Sequence, residues 1–393
     1  MKNYDVVIIG GGASGCMTAI WLGINRALNQ NNIKKAAIID GGKSLGKKIM
    51  VTGNGRCNLT NINMSSEYFN QNIDKYLQRF DEKKTLEFFE KCGLEHYADD
   101  EGRVYPLSNS AKSVIDVLLP RIDDNIVDKI LDQRVCGITK SREGFYVRTQ
   151  TETFSCKKLV IATGGNTLAE KLADLGVDIK PFMPSLTALK CSDVRDLNGV
   201  KVSNVRVTVT NEMGDSKSEI GEVLFKEHGV SGIVAFNLSA LFARKGEYKG
   251  SVEIDLLPNL SIDKLCEKLN KRKALRVNLD KFFVGMFVGS LANEIFRQCK
   301  MNTNIKCDKL TDEQILTLAK TIKNLKYKVV DAYINNQVFS GGVKLSSLDD
   351  NLQSKQIPDL YFTGEICDVD GVCGGYNLQW AWTSGKIVGE SLW

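Results

Sequence analysis

A run of apolar, largely β-branched residues, Tyr4 to Ile9, ends at a glycine cluster, and a helical pattern begins directly behind it. Gly10, Gly12 and Gly15 satisfy G-x-G-x-x-G, and Cys16, Met17, Ala19, Ile20 and Trp21 recur with helical spacing within Ala13 to Leu22. The apolar run reads as a parallel strand covered on both faces. Strand, turn and helix therefore come in the order a dinucleotide-binding turn requires. The first glycine permits the tight turn, the second lets backbone approach a pyrophosphate, and the third lets the helix close on the strand. Ala13 and Ser14 open the helix, where unpaired N–H groups and the positive dipole end favour an anion. A second strand, Ala36 to Ile39, ends in Asp40, placed to accept hydrogen bonds from a ribose hydroxyl pair. That acid disfavours a 2′-phosphate, but these residues do not separate NAD from FAD.

The 393 residues suggest two or three lobes at roughly 150 residues each. A net charge of +5 is too small to imply a nucleic-acid groove by itself and does not exclude one; the expected partner is a small-molecule substrate, with no nucleic acid. Eleven scattered cysteines form no C-x-x-C pair, which argues against a zinc site or a disulfide framework and suits a reducing cytoplasm. The most apolar later stretch, Phe282 to Leu291, is about half the length that spans a bilayer, so it reads as a buried helix and no membrane association is expected.

The layout beyond residue 130 is not that of a plain NAD domain. A predicted hairpin, Val135 to Thr139 with Phe145 to Thr149, precedes a strand Lys158 to Ile161 that runs into Ala162-Thr163-Gly164-Gly165. Near the C-terminus a short strand, Leu360 to Thr363, leads through Gly364-Glu365 and Asp368-Val369-Asp370-Gly371 to Gly374-Gly375-Tyr376-Asn377-Leu378 and an apolar helix reaching Val388. A second glycine turn therefore opens a second helix.

With these motifs, and with Lys47 to Asn61 carrying Thr52-Gly53-Asn54-Gly55-Arg56-Cys57-Asn58-Leu59-Thr60-Asn61, the chain resembles the two-dinucleotide-binding-domain flavoproteins. Within them it resembles the BaiN/YhiN type, the aminoacetone oxidase family of FAD-binding enzymes. The resemblance implies an α/β fold in which a discontinuous Rossmann-like FAD domain, 1–189 and 341–393, accepts an inserted β-barrel and helical cap, 190–340. It implies FAD held by Gly10, Gly12, Ala13, Ser14, Gly15, Asp40, Lys48, Thr52, Gly53, Gly55, Arg56, Cys57, Asn58, Val135, Thr163, Gly164, Gly165, Gly364, Glu365, Asp370, Gly375, Tyr376, Asn377 and Leu378. In that reading Val135 holds adenine through backbone atoms, and Glu365 and Asp370 face ribityl hydroxyls or a phosphate-bound water. The helix start at Gly375 to Leu378 aims N–H groups at the flavin N1 and C2 oxygen.

Arg56 and Asn58 offer fixed donors to the flavin edge or an anionic substrate, Lys48 can neutralise a phosphate, and Cys57 reads as a small packing residue. With Tyr376 and Asn377, Arg56 and Asn58 are the expected catalytic residues. His96 and His228 read as structural or solvated. The chain departs from the family pattern at Lys226 and Glu227, where Thr-His is common, and at Phe339, where Thr is usual. The expected activity is hydride transfer through flavin N5: reduction of an enone-like substrate with NADH or NADPH as a transient donor, or oxidation of a small amine. The competing reading is a flavin-containing binding or sensing protein with an RNA or protein partner.

Overall fold

Strand β1 (Lys2–Ile9) buries Val6, Val7, Ile8 and Ile9 on both faces, as its unbroken apolar sequence requires. A computed structural model describes residues 1–28, 32–334 and 336–392. On one side β1 pairs in parallel with β2 (Ala36–Ile39), and on the other with Thr153–Ile161. The strand Val127–Ile130 extends the sheet beyond β2. The free edge of Thr153–Ile161 is shared: its first half pairs antiparallel with Phe145–Thr149, and its last three residues pair in parallel with Leu360–Phe362. Val135–Lys140 completes the hairpin and the seven-stranded sheet. Two segments far apart in sequence thus end on the same strand, beside Thr163.

The chain divides into two units, Met1–Phe182 with Val338–Trp393, and Met183–Gln337. The second is built on a closed barrel of six strands, Leu189–Cys191, Lys201–Asn211, Ser216–Lys226, Gly229–Ser231, Gly250–Asp255 and Leu325–Ala332, with its own apolar core. The helix Ile233–Lys245 packs Val234, Leu238 and Phe242 into that core. The Rossmann-type sheet and the separate barrel agree with the architecture expected from the motifs. The expected helix Phe282 to Leu291 is not formed as such. Gly285 adopts φ +79°, the chain turns, and the helix begins at Gly289 and ends at Gln298. Buried Phe282 and Phe283 supply the hydrophobicity without the helix, because apolar content alone cannot separate a buried turn from a buried helix. Among the described residues no helix is long and apolar enough to cross a membrane.

In the first unit, α1 (Ala13–Ala27) lies against the C-terminal helix (Tyr376–Ser391) through glycine. A Cβ on Gly385 would stand 2.5 Å from Ser14 O, and one on Gly389 would stand 2.7 Å from Thr18 O. The contacts rise in step along both chains, so the helices run parallel and their starts point the same way. Gly385 lies nine residues from Tyr376, whereas Ser14 lies one residue from Ala13. The C-terminal helix therefore begins about 12 Å beyond the start of α1, at roughly 1.5 Å per residue. Gly385→Val is expected to destabilise the protein by about 1–3 kcal/mol through overpacking. An unfolding free energy equal to wild type in a denaturant titration would contradict this helix contact.

Candidate cofactor and active site

The glycine turn divides its three tasks as the motif requires. Gly10 takes φ +107° and lies against the backbone of Ala162, where a side chain has no room. A Cβ on Gly15 would run into Gly10 O, so helix and strand approach as closely as backbone allows. At Gly12 an added Cβ meets no protein atom within 4 Å. That position is open to something other than the protein. No side chain caps α1, and its first turn holds no acidic residue. The C-terminal helix likewise has no side-chain cap and no acid in its first turn. Two helix starts, offset along one direction, thus leave first-turn N–H groups for an extended, anionic partner.

The ends of the chain meet here. Ser14 Oγ donates to Thr363 O (3.3 Å), and a Cβ on Gly364 would lie 2.5 Å from Ser14 Oγ. Ser384 Oγ accepts the Gly364 N–H (2.9 Å), and Trp380 Nε1 donates to Gly364 O (3.0 Å). Trp382 Nε1 donates to Leu59 O (2.9 Å), so both indoles are buried struts of the C-terminal helix. Fully buried Gln379 accepts from Thr60 Oγ1 (2.7 Å) and donates to Thr85 Oγ1 (2.9 Å) and Thr383 Oγ1 (3.0 Å). The helix therefore holds the 59–60 and 363–364 segments at fixed depths.

The polar loop before Thr60 is made by backbone that favours glycine. Gly53 (φ +56°), Asn54 (φ +55°), Gly55 (φ +84°) and Cys57 (φ +60°) all lie in the left-handed region. Thr52 Oγ1 donates to Ile49 O (2.7 Å). Arg56 Nε donates to Gly53 O (3.3 Å), and its guanidinium lies 4.3 Å from the Tyr105 ring centre. No carboxylate is paired with Arg56 among the described ion pairs, so this half-buried cation keeps donors for an incoming group. Cys57 is fully buried and desolvation pushes its thiol up to about 12, which suits packing rather than nucleophilic chemistry.

Asp40 accepts from Gly11 N–H and Gly42 N–H, both at 2.6 Å, and so fastens the glycine turn to the end of β2. The adjacent Asp132 and Gln133 donate backbone N–H groups to Gly42 O (2.9 Å) and Asp40 O (3.0 Å), which brings Val135 alongside. At the sheet's end, Thr163 Oγ1 is buried with no hydrogen-bond partner among the described residues. Gly164 (φ +74°) sits where a Cβ would meet Lys48 Nζ at 2.9 Å and Glu365 Oε2 at 3.0 Å. Desolvation raises the Glu365 carboxyl above the usual range, opposed by Lys48 and by N–H groups including Phe339 N–H (2.7 Å to Oε1). The Phe339 ring lies flush on Gly165.

Four expected roles are corrected. Asn58, with its amide oriented to suit both neighbours, donates to Thr60 O (2.9 Å) and accepts the Gly375 N–H (3.1 Å). That amide is therefore not offered to a flavin, and Asn58 ties the loop to the helix start. Asn377 accepts from Gly371 N–H and donates to Gly371 O, both at 2.9 Å, so its side chain holds the preceding turn. Tyr376 is 5% exposed, with Tyr68 at 4.6 Å and Phe69 at 5.9 Å between ring centres. Neither Tyr376 nor Asn377 presents its side chain as a catalytic group. Asp370 is 1% exposed and accepts from Ser340 Oγ (3.0 Å), so it faces the interior instead of a ribityl chain.

Residues the motifs did not mark complete the frame. Asn70 exchanges hydrogen bonds with Asp370 N–H (2.9 Å) and Asp368 Oδ1 (3.1 Å), and Tyr105 carries Arg56. Each stands outside a recognisable pattern, and only the fold brings it to the turn. His96 pairs with Glu90 (2.9 Å), and His228 is largely exposed.

The open cradle at Gly12, the uncapped helix starts and the orphaned Thr163 hydroxyl fit an extended dinucleotide cofactor with a phosphate near α1. This fold and donor set are those of a FAD-dependent oxidoreductase. The family model described as the HI0933-like protein Rossmann domain matches residues 4–391, and the chain belongs to that family. It is 31% identical over 415 residues to a 3-dehydro-bile acid delta(4,6)-reductase of Clostridium scindens, covering 98% of each chain. It is 28% identical over 420 residues to a ribosomal RNA dihydrouridine synthase of Escherichia coli, covering 100% of this chain and 98% of that one. Among solved structures, a 3-ketosteroid delta1-dehydrogenase from Sterolibacterium denitrificans aligns over 100% of this chain and 99% of its own, with 12% identity and TM-score 0.49.

Gly12→Val is expected to abolish FAD retention while the apoprotein keeps its unfolding free energy within about 0.5 kcal/mol, because no protein atom is displaced. Gly15→Val is expected to destabilise the apoprotein instead. Full flavin occupancy in Gly12→Val, read from the absorbance of the purified protein, would remove the cradle. Asn377→Ala is expected to cost about 1–3 kcal/mol by freeing the buried groups of the Gly371 turn. An unchanged unfolding curve with an altered flavin potential would restore its catalytic reading.

Proposed function

We propose that this flavoenzyme reduces a carbon–carbon double bond conjugated to a carbonyl, with NADH or NADPH as donor. The observation that carries the reading is Arg56, a half-buried guanidinium without a carboxylate partner among the described residues, held against Tyr105 in the loop that Asn58 fastens to the C-terminal helix start. The names of the two relatives support it. A 3-dehydro-bile acid delta(4,6)-reductase and a ribosomal RNA dihydrouridine synthase act on different molecules, yet each name fits saturation of a double bond conjugated to a carbonyl.

Bound FAD supplies the route by which a hydride leaves the nicotinamide and reaches the β-carbon of the substrate. The chain's own residues bind and orient. The first turn of α1, open at Gly12, holds the pyrophosphate, and the uncapped start of the C-terminal helix favours negative charge at the opposite end. Lys48 adds positive charge beside Gly164. Arg56 donates to the substrate carbonyl oxygen, where negative charge grows as hydride arrives at the β-carbon, and a proton then completes the α-carbon. The balance is one hydride and one proton added across the double bond, with the nicotinamide oxidised.

The test is anaerobic. Protein reduced with NADH or NADPH is mixed with a 3-keto-Δ4,6 bile acid or with uridine-containing ribosomal RNA, and flavin reoxidation is followed by absorbance. Reoxidation by either substrate, with the saturated product recovered, is expected. Reoxidation by neither, with fast reoxidation by air and a small amine as electron source, would instead establish the amine oxidase reading. Arg56→Gln is expected to slow the oxidative half-reaction by about 100-fold, the scale of losing one transition-state donor. Flavin reduction by the nicotinamide should remain near wild type, and equal slowing of both halves would place Arg56 on the cofactor instead of the substrate.

A further inference from the structure

A cavity of about 930 Å³ lies against the later turns of α1, lined there by Ile20, Trp21 and Ile24. It is also lined by Phe80, by Phe88 on the helix Glu82–Lys91, and by Lys386 on the C-terminal helix. Trp21 is eight residues from the start of α1 and Lys386 is ten from the start of the C-terminal helix. At roughly 1.5 Å per residue the cavity stands some 12–15 Å from the two helix starts, so it is separate from the cofactor site. Its volume falls within the roughly 300–1,000 Å³ of small-molecule sites.

The walls combine rings with basic side chains, of which only Lys386 carries an ion pair among the described residues. Trp21 stands 6.2 Å from both Phe80 and Phe88 between ring centres, forming an aromatic floor. Lys386 Nζ lies 4.3 Å from the Trp21 ring centre and 5.5 Å from that of Phe80, with Glu390 at 2.5 Å. Around it stand further cations whose hydrogen bonds go to neutral oxygens. Arg79 donates to Asp350 O (2.8 Å) and Asn351 Oδ1 (3.1 Å), Lys84 donates to Gln78 O (2.7 Å), and Arg121 donates to Lys91 O (3.2 Å). Of the acids on the rim, Asp124 is paired with Lys129 (2.6 Å) and Asp123 accepts from Asn125. Glu87 is exposed.

Burial lowers the Lys386 ammonium below the usual lysine range against the pull of Glu390, and the charges of Arg79 and Lys84 lower it further. Arg79 and Lys84 therefore add positive charge beside the Lys386–Glu390 pair and an apolar floor, and a bound anion would offset it.

We propose that this cavity binds a free anionic amphiphile, a medium-chain carboxylate with its apolar body on Trp21, Phe80 and Phe88 and its carboxylate among Arg79, Lys84 and Lys386. Its size suits one chain, and the mixed charges of its rim do not suit a bilayer surface. Neither the hydride transfer nor the cofactor contacts use these residues.

The test is calorimetric titration of the FAD-loaded protein with monomeric decanoate, and with decyltrimethylammonium as the charge-reversed probe. One decanoate per chain is expected, with the ammonium amphiphile bound at least about tenfold more weakly, a difference of about 1.4 kcal/mol. Lys84→Glu, an exposed substitution, is expected to weaken decanoate about tenfold while FAD content and turnover stay at wild-type values. The absence of saturable binding, equal affinity for the two amphiphiles, or binding only to anionic phosphatidylglycerol vesicles would overturn the site. So would competition between decanoate and the reducible substrate. If Phe88→Ser, made to disrupt the floor, fails to fold, the charge selectivity of the wild-type protein still decides.

Discussion

Close contact between α1 and the C-terminal helix is the constraint on which the rest of the first unit depends. Gly385 on Ser14 and Gly389 on Thr18 let two backbones meet where any side chain would hold them apart. The contact sets the two helix starts in one direction and fixes their offset. It also brings Thr363 and Gly364 to Ser14, where strands from opposite ends of the chain finish level with Ile161 on either side of it. A long dinucleotide needs that arrangement: one anion-favouring end for its pyrophosphate and a second for the ring that takes up charge.

Around this pair of helices, most polar side chains of the site are engaged in holding backbone in place. Asn58, Asn70, Asn377 and Gln379 each bridge segments that would otherwise be free to move, and Asp40 closes the glycine turn on its own strand. Buried polar groups must find partners, so a loop with this much left-handed backbone is stable only when such side chains satisfy it. The groups left over carry the chemistry: the first-turn amides, the Thr163 hydroxyl, Lys48 and Arg56. At the far end of the same two helices, rings and basic side chains line a second cavity.

Elements whose pattern is local were legible along the chain. β1, the glycine turn, β2 and the hairpin ending at Thr149 appear where hydrophobic period and turn residues place them, and the C-terminal helix follows its glycine pair. The three-stranded sheet of Thr60–Asn61, Arg103–Pro106 and His96–Ala98 was not legible, because strands of two to four residues carry too little periodicity. Phe282 to Leu291 misled for the opposite reason, an apolar run interrupted by a turn at Gly285. In the site, the glycines and Arg56 were legible from their motifs, whereas Tyr105 and Asn70 were not, since nothing beside them in sequence marks them.

By itself the sequence determined which backbone positions must be free of side chains and which face of each strand and helix must be buried, and those local demands name a dinucleotide-binding fold. Only the tertiary structure decided what each polar side chain does. Asn58 and Asn377 have the same amide whether they touch a cofactor or a turn, and Asp370 the same carboxylate whether it meets solvent or Ser340. A hydrogen-bonding group is assigned by the nearest unsatisfied partner in space, and packing sets that distance whether the partner is near in sequence, as Gly371 is to Asn377, or at the far end of the chain, as Gly375 is to Asn58.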